Sequence, residues 1–452
     1  MRHLILYFAL SFITFSAMNA QNPLISGPML GYSEHREAMI WLEVSPKVEE
    51  VSIAYWKSGE SDKQQLVCYK GELGKTFNPI KIVLTALDMG TTYEYAIFLD
   101  KQQQNFDYPL QFNTKKLWEW REDPPKFSFL MGSCAYINEA EYDRPGDTYG
   151  KGTEIFKPMS EEDASFMLWL GDNIYLREAD WSSEYGIQHR FQHTRKHPDL
   201  QAFWAKMPHY AIWDDHDFGP NNSNKSFELK DVALQSFTDY WGNRTYGEAD
   251  NKGTYGKFTY GDAEFFLLDS RYHRSADRMA DDDPNKDFLG DKQMEWLKNG
   301  LLSSYAPFKF IANGSQILNA ASRGERMQQY LKEYNELMDF ITEYKIEGVV
   351  FLTGDRHFAE MIEVTPTEGF YPLRDITSSP LSAGTYNSVL KSEEVKHPSV
   401  IKETVLPEHN YIKITLEGKR KKRVMTIQAL DKTGKERWKQ VLKMEDFHVE
   451  SK

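Results

Sequence analysis

The feature that most constrains this fold is a series of apolar runs that end in acidic or metal-binding side chains. The run 210–213 leads directly into Asp214, Asp215, His216 and Asp217, so three carboxylates and an imidazole occupy four consecutive positions. Four other runs end in the same manner, at Cys134, at Asp172 with Tyr175, at Asp269 with Arg271, and at Asp355 with His357. Because functional groups in α/β proteins gather where strands end, we expect these side chains to share one edge.

The chain divides into two parts with different patterns. Residues 21–116 contain short β-branched and aromatic runs separated by turn residues, which is typical of a β-sandwich. After a linker at 117–125, strand-like runs alternate with helical periodicity, most clearly at 290–302 and 325–344. The sequence therefore predicts an immunoglobulin- or fibronectin-like all-β sandwich and then an α/β domain that occupies 117–452. Hairpins are predicted at 253–269 and 410–431.

The first 20 residues have the pattern of an export signal. Arg2 precedes an apolar stretch at 4–18, and Ala20 lies where a signal peptidase would cut. The stretch is shorter than the roughly 20 residues that span a bilayer. We expect a signal peptide at 1–20 and a mature protein without a membrane span, exported to a bacterial periplasm, cell surface or medium. The alternative is a retained membrane anchor.

The net charge of −13 restricts the partners of this chain. Nucleic acids and anionic membranes favour basic surfaces, so neither is expected as a general partner. The basic stretch 418–423 is predicted to be a hairpin turn and not a nucleic-acid site. An acidic protein is compatible with bound cations.

The chain contains two cysteines, Cys68 and Cys134. An exported protein with two cysteines can form one disulfide. These two lie in segments that the pattern assigns to different domains, so the sequence does not predict that bond. Cys68 is expected to be a small core residue of the sandwich.

Carboxylates that cluster at one edge cannot all stay ionised without compensation. Either their pKa values rise, or cations neutralise them. Carboxylate oxygens suit hard ions, imidazole suits first-row metals, and a thiolate or phenolate adds affinity for iron or zinc. Each residue alone has a plainer interpretation, such as a turn at Asp172, a buried small residue at Cys134 or an ion pair at Arg271. Their recurrence at five strand ends favours a metal centre.

Six motifs stand in order between residues 132 and 360: GSCAY, LGDNIY, IWDDHDFGPNN, LLDSRYHR, LGDKQMEWL and TGDRHFAE. Together they resemble the PhoD-like alkaline phosphatases, the alkaline phosphatase D family, which are distant relatives of the purple acid phosphatases within the metallophosphoesterases. The resemblance implies a two-sheet αββα catalytic domain preceded by a β-sandwich. It covers nearly the whole mature chain.

The resemblance also implies roles for individual residues. Asp172 would bridge two metal ions, and Tyr175 would be a phenolate ligand of ferric iron. The expected ions are Fe³⁺ and Ca²⁺, with Zn²⁺ or Mn²⁺ as alternatives. The expected metal ligands are Cys134, Asp172, Tyr175, Asp215, Asp355, His357 and Gln316. The expected catalytic residues are His216 and Arg271, and the expected substrate-binding residues are Arg271, Asn173, Arg356 and Asn222. Where better-known members read D-D-H-E, this chain has Asp217 and then FGPNN, so the role of Asp217 is open.

The expected function is an exported, metal-dependent phosphoester hydrolase that acts on phosphomonoesters, phosphodiesters or both. A hydroxide between two cations would attack phosphorus in line with the leaving oxygen. Arg271 would stabilise the developing charge, and His216 would protonate the leaving alkoxide. Residues 177–200 and 373–400 are expected to be pocket loops.

Three alternatives remain at this point. The first is a phospholipase-type phosphodiesterase that uses the same site. The second is a cysteine hydrolase with Cys134 as the nucleophile and His216 or His357 as the base. The third is a non-catalytic, metal-stabilised protein that binds a surface.

Overall fold

The structure, a computed structural model, describes residues 22–321 and 324–449. The expected signal peptide at 1–20 lies outside the described residues. Within the described ranges, no helix has both the length and the apolar composition needed to cross a bilayer.

The N-terminal part is a sandwich of two antiparallel sheets, as the strand pattern predicts. Its strands are β1 (Leu24–Ser33), β2 (Glu37–Val44), β3 (Val51–Lys57), β4 (Gln65–Cys68), β5 (Pro79–Thr85), β6 (Thr92–Leu99), β7 (Gln102–Gln103) and β8 (Gln111–Asn113). One sheet has the order β1-β2-β5, and the other has the order β4-β3-β6-β7, with β8 paired to β6. Apolar side chains such as Ile40, Ile53 and Ile97 fill the core between them.

The remaining strands form two six-stranded sheets. In chain order they are β9 (Phe127–Gly132), β10 (Met167–Leu170), β11 (His209–Ile212), β12 (Gly256–Tyr260), β13 (Ala263–Leu267), β14 (Phe308–Asn313), β15 (Val349–Thr353), β16 (Glu360–Val364), β17 (Leu373–Thr377), β18 (Asn410–Glu417), β19 (Val424–Asp431) and β20 (Glu436–Lys443). The orders are β11-β10-β9-β18-β19-β20 and β12-β13-β14-β15-β17-β16. Both predicted hairpins are confirmed, since β12 pairs with β13 and β18 pairs with β19 in antiparallel fashion.

The helices of this part are α1 (Phe156–Glu161), α2 (Glu184–Arg195), α3 (Pro198–Lys206), α4 (Asp215–Phe218), α5 (Lys230–Tyr240), α6 (Asp291–Ser303) and α7 (Leu331–Glu343). The predicted helices at 290–302 and 325–344 correspond to α6 and α7. Short 3₁₀ turns occupy Ser61–Lys63, Met327–Gln329, Asn387–Lys391, Glu394–Lys396, Lys402–Thr404 and Met444–Phe447.

The two six-stranded sheets pack face to face through aromatic side chains. Phe129 of β9 lies 5.2 Å from Phe265 of β13, measured between ring centroids. Because side chains alternate along a strand, the next residue, Phe266, faces away from that core and packs against Trp296 of α6. On the other sheet, Trp169 of β10 packs against Phe203 of α3. Helices therefore cover both outer faces, which confirms the αββα prediction.

The sandwich packs tightly against the α/β part. Trp41 of β2 is fully buried, and its indole Nε1 donates a hydrogen bond to the carbonyl oxygen of Asp239 at 2.9 Å. Its ring lies 5.7 Å from the ring of Tyr240. Next to it, Glu43 is completely buried and accepts hydrogen bonds from Gln192 and Tyr240. This contact holds a carboxylate at the boundary between the two parts.

The sequence left a disulfide between the two cysteines possible without predicting it, and the structure forms none. The prediction that Cys68 is a core residue is wrong, because its side chain is only partly buried on the short strand β4. Cys68 lies at the end of β4 and Cys134 follows β9, and both thiols are free. The basic stretch 418–423 joins β18 to β19 as a turn, as predicted.

Candidate metal centre

Sheet topology brings the predicted strand ends to one edge. β9, β10 and β11 are parallel neighbours in one sheet, and β13, β14 and β15 are parallel neighbours in the other. Their carboxyl ends therefore point the same way within each sheet. The side chains that follow β9, β10, β11 and β15 meet there: Cys134, Asp172, Asp215 with His216, and Asp355 with His357.

Strained backbone presents several of these side chains. Cys134, Asp172, Asp355 and His357 all have positive φ values, of 60°, 51°, 66° and 59°. Few non-glycine residues adopt this region, and those that do are concentrated at functional sites. The turn after β10 begins with Gly171, where a Cβ would lie 2.6 Å from the Cβ of Asp214. Only glycine lets the loops of β10 and β11 approach so closely.

A first group of donors surrounds one oxygen of Asp172. The Sγ of Cys134 lies 3.5 Å from Asp172 Oδ2, and the hydroxyl of Tyr175 lies 3.3 Å from the same oxygen. The Tyr175 hydroxyl is also 3.3 Å from His357 Nε2. The other ring nitrogen of His357 faces the carbonyl oxygen of Gly384, so Nδ1 carries the proton and Nε2 presents its lone pair.

A second group shares Asp172. Ligand atoms of Asp172, Asp215 and His216 lie within 4.8 Å of one another. The backbone N–H of His216 donates to Asp172 Oδ1 at 3.3 Å, and the backbone N–H of Asn222 donates to Asp215 Oδ2 at 2.7 Å. The His216 ring lies 4.2 Å from the Tyr175 ring. Asp172 therefore belongs to both groups.

A third group contains Asp214, Glu325 and Asp355, but an arginine lies beside it. Arg271 Nε donates to Asp214 Oδ1 at 2.6 Å, and both terminal nitrogens of Arg271 donate to the two carboxylate oxygens of Glu325. Arg274 makes a further bond to Glu325 at 3.2 Å. The protein therefore supplies its own cations to this group.

Burial shifts the pKa values of several groups in the centre. It raises the pKa of Asp172 well above the usual range, and the charges of Asp215 and Cys134 raise it further. Burial likewise raises the pKa of the Cys134 thiol to about 12 and that of Asp355 to about 6. Asp215 differs: burial opposes its ionisation, but the charges of His216 and Arg271 outweigh it and lower the pKa of this carboxyl. Protonation or a bound cation must compensate the rest.

The donor set fits multivalent cations. Thiolate, phenolate, imidazole and carboxylate donors converge on Asp172, a combination that suits iron or zinc, while the carboxylates around Asp215 suit a harder ion. Two buried oxygens, Asp214 Oδ2 and Asn173 Oδ1, have no hydrogen-bond partner among the described residues. Buried acceptors without a partner are rare and need an explanation such as an ion or a water.

Several predicted site residues lie away from the cavity. Arg271 is completely buried, so it does not face the cavity as the predicted phosphate ligand would. Asn173 is also buried, and its amide donates to the carbonyl oxygen of Ile212. Arg356 pairs with Glu394 at 2.6 Å.

Two further predicted residues make other contacts. The amide nitrogen of Gln316 donates to Glu360 and Thr377, and its amide oxygen accepts from Asn319, so the structure does not bring it into the three groups. The side chain of Asn222 is exposed and accepts a hydrogen bond from Asn221, while its backbone contacts Asp215.

Asp217, whose role the motif left open, binds the backbone of two neighbouring loops through hydrogen bonds. Its Oδ1 accepts from the backbone N–H groups of Asn173 and Ile174, and its Oδ2 accepts from the N–H of Asp214. Burial raises its pKa to about 7. This carboxyl ties the loop after β10 to the start of α4. Asp269, at the fifth strand end, similarly accepts bonds from Trp213 and from backbone N–H groups, and does not join the three groups.

A cavity of about 460 Å³ opens next to His216 and Tyr175. Much of its wall comes from segment 136–149, which the sequence analysis missed, and from 175–181. Of the predicted pocket loop 177–200, only the first part lines the cavity, because α2 begins at Glu184. The predicted segment 373–400 does not line it.

Three residues of the centre were not predicted as site residues. Asp214 stood in the acidic motif without a role, Glu325 stood at the start of a predicted helix, and Tyr149 lies in a loop with no motif. The hydroxyl of Tyr149 is 3.4 Å from His357 Nε2. No local sequence signal marks Glu325 or Tyr149, because their neighbours in the site are distant in sequence.

Comparison with known proteins identifies the family. The model of the family described as "PhoD-like phosphatase" matches residues 129–427, about two thirds of the chain. The chain belongs to this family. Alkaline phosphatase D of Bacillus subtilis (strain 168) is 25% identical over a match that covers 66% of this chain and 60% of that protein. The match thus spans less than two thirds of the curated relative.

Solved structures show the same fold for this PhoD-like chain. A structure of PhoD superimposes with a TM-score of 0.75 and 17% identity, and the match covers 94% of this chain and 92% of that one. The purple acid phosphatase PPD1 from yellow lupin (Lupinus luteus) seeds matches with a TM-score of 0.65 and 11% identity, over 92% of this chain and 74% of that one. Because both matches cover most of the chain, the shared fold includes both the sandwich and the α/β part.

Proposed function

We propose that this PhoD-like protein is a metal-dependent phosphoester hydrolase. The observation that carries the proposal is the position of Asp172, which belongs to two donor groups at the edge of one cavity. A shared carboxylate is the feature that two-metal phosphoesterases require. Family membership supports the same activity.

In this proposal the two donor groups hold different ions. Cys134, Tyr175 and His357 would bind a ferric ion together with Asp172, because thiolate and phenolate donors favour iron. Asp172 and Asp215 would bind a second, harder ion such as calcium, with Asp355 nearby. Zinc or manganese are the alternatives for either position.

The cations would supply Lewis-acid stabilisation of charge on the phosphoryl oxygens and a lowered pKa for the attacking water. His216 lines the cavity and packs against the Tyr175 ring at a tilt of 31°, so its ring is positioned to donate to the leaving oxygen. The backbone N–H groups that hold Asp172 and Asp215 keep those carboxylates oriented without any movement of side chains. Arg271 does not face the cavity, and it neutralises Asp214 and Glu325.

The environment of Cys134 argues against a cysteine hydrolase. A nucleophilic thiol needs exposure and a lowered pKa. Cys134 is completely buried, and burial raises its pKa. A metal would reverse this effect, whereas a general base alone would leave the thiol inaccessible to a substrate.

We also propose that the protein is exported. Support comes from the basic, apolar and small-residue order of its first 20 residues. N-terminal sequencing of the protein recovered from the periplasm or the medium tests this. A mature chain that still begins at Met1 would contradict cleavage of a signal peptide.

The experiment that tests the proposed activity combines metal analysis with hydrolysis assays. The purified protein should contain iron and a second ion, and a tyrosinate–ferric absorption band should be visible. It should hydrolyse 4-nitrophenyl phosphate, bis(4-nitrophenyl) phosphate or a phospholipid, should lose the activity with a chelator, and should regain it with metal. Thiol alkylation that abolishes activity with the metals retained would favour the cysteine hydrolase. A metal-loaded protein that turns over none of the three esters would favour the non-catalytic alternative.

A further inference from the structure

Arg271 leaves a gap in the proposed mechanism, because no substrate can reach it. Its Nε is bonded to Asp214, and both terminal nitrogens are bonded to Glu325. The guanidinium is completely buried. If this PhoD-like protein hydrolyses phosphoesters as proposed above, any side chain that donates to the phosphate oxygens beside the metal ions must lie on the cavity side of the centre.

Tyr149 lies at the boundary between the metal centre and the cavity. Its hydroxyl is 3.4 Å from His357 Nε2, the nitrogen that also lies 3.3 Å from the Tyr175 hydroxyl. The two tyrosines differ in exposure, since Tyr175 is 3% exposed and Tyr149 is 45% exposed. Tyr149 also lines the cavity wall. A molecule in the cavity therefore meets the Tyr149 hydroxyl as it approaches the centre.

The backbone around Tyr149 is held in place. The neighbouring Gly150 exchanges two hydrogen bonds with the side chain of Asn138, at 2.9 and 3.1 Å. The N–H of Lys151 donates to the carbonyl oxygen of Ser382 at 2.7 Å. A Cβ at Gly150 would lie 2.7 Å from the carbonyl oxygen of Tyr136, so only glycine fits there. These contacts orient the phenol before any substrate arrives.

The Tyr149 ring is also held in place, by contacts with three neighbouring rings. It lies 5.0 Å from the Tyr136 ring, 5.8 Å from the Tyr175 ring and 5.8 Å from the His357 ring, measured between centroids. Because these neighbours pack against the ring, the hydroxyl is the part of the side chain that can form a hydrogen bond. A phenol donates one hydrogen bond and changes no charge when it does so.

We propose that Tyr149 is a substrate-binding residue, whose hydroxyl donates a hydrogen bond to a non-bridging oxygen of the phosphate. It fills the role that the sequence analysis assigned to Arg271. It transfers no proton and forms no covalent bond. A neutral donor suits this position, because an arginine here would add a positive charge beside the carboxylates that are proposed to bind the metal ions.

Tyr149→Phe tests the proposal, because it removes the hydroxyl and keeps the ring. The control is Tyr386→Phe, which alters a tyrosine of similar exposure, 43%, whose backbone N–H donates to His357 while its ring lies outside the cavity wall. For each metal-loaded protein we would measure binding of inorganic phosphate by calorimetry, metal content, the visible spectrum, and kcat and KM on both nitrophenyl esters.

Loss of a hydrogen bond to a charged group predicts an about ten- to hundredfold weaker phosphate affinity and a similar fall in kcat/KM for Tyr149→Phe. Metal content and the visible band should match those of the native protein, and Tyr386→Phe should behave as native. Phosphate affinity within twofold of native would overturn the proposal. A loss of metal or of the band would also overturn it, because Tyr149 would then be a metal ligand. A native protein that hydrolyses neither ester contradicts the proposed activity, and phosphate binding still decides the role of Tyr149. A native protein that binds no phosphate overturns both.

Discussion

Two clusters of carboxylates lie side by side at the edge of the sheets, and they differ in whether an arginine neutralises them. Asp214 and Glu325 are bonded to Arg271, with Arg274 behind them. Asp172 is surrounded by Cys134 and Tyr175, and neither offers a positive charge. Buried anions need a counter-charge in both places. Where the chain supplies an arginine the role is structural, and where it supplies none we propose that a bound metal ion supplies the positive charge.

The largest effect is expected at the group without an arginine. Asp172→Asn should lose metal and should lower kcat/KM by more than about a thousandfold, because several kcal/mol of transition-state stabilisation depend on the ions. Elemental analysis and ester hydrolysis measure this. The matched control is Asp282→Asn, which removes a carboxylate from an exposed loop. Native metal content in Asp172→Asn would remove the distinction between the two groups.

A substitution in the group that Arg271 neutralises should lower the free energy of unfolding. Arg271→Met leaves buried carboxylates unpaired, so the free energy of unfolding should fall by about 3–5 kcal/mol, while the protein that folds retains its metal. Urea denaturation at fixed metal concentration measures the change. A double-mutant cycle with Glu325→Gln should show that the two losses are not additive, because the residues share one ion pair. An Arg271→Met variant that is as stable as native but lacks metal would reverse the assignment.

Glu43 shows a third way to bury a carboxylate, by raising its pKa. Burial raises this pKa from 4.5 to about 7, although Gln192 and Tyr240 donate to one of its oxygens. A carboxyl with a raised folded pKa binds more protons in the folded than in the unfolded state between these two values. Its contribution to stability is therefore complete below about pH 4.5 and is lost as the pH rises to about 7.

The size of this pH effect follows from the shift, at about 3 kcal/mol in the free energy of unfolding. The measurement is urea denaturation between pH 4 and 8 on native protein and on Glu43→Gln, with the difference between the two profiles isolating this residue. The difference should change across that window and should be flat above it. Parallel profiles would mean that Glu43 stays ionised in the fold.

The smallest effect is expected at Asn222. Its backbone N–H holds Asp215, its φ is +60°, and its side chain is exposed. Asn222→Gly keeps the N–H and suits that backbone conformation, so stability should change by less than about 1 kcal/mol and kcat/KM by less than about twofold. A steady-state assay decides this. A tenfold loss would instead support the predicted role of the side chain in substrate binding.

Much of the fold could be predicted from sequence because the signals are local. The runs at 167–170, 210–212 and 349–352 are apolar throughout, as is typical of buried parallel strands, and the structure buries every residue of them. The residue types that follow these strands indicated which kinds of ligand atom the site contains. Helix α7 follows from its periodicity. The two hairpins could also be predicted, but the pairing of strands that are distant in sequence needed the structure.

The sequence by itself determined which donors stand at the strand ends, since each follows directly on an apolar run that must be buried. Only the tertiary structure decided which side chains of the site are paired with one another. Glu325 meets Arg271 across 54 positions of the chain, and Tyr149 meets His357 across 208. Local periodicity carries no information about such contacts, because they depend on how two sheets and their loops pack together.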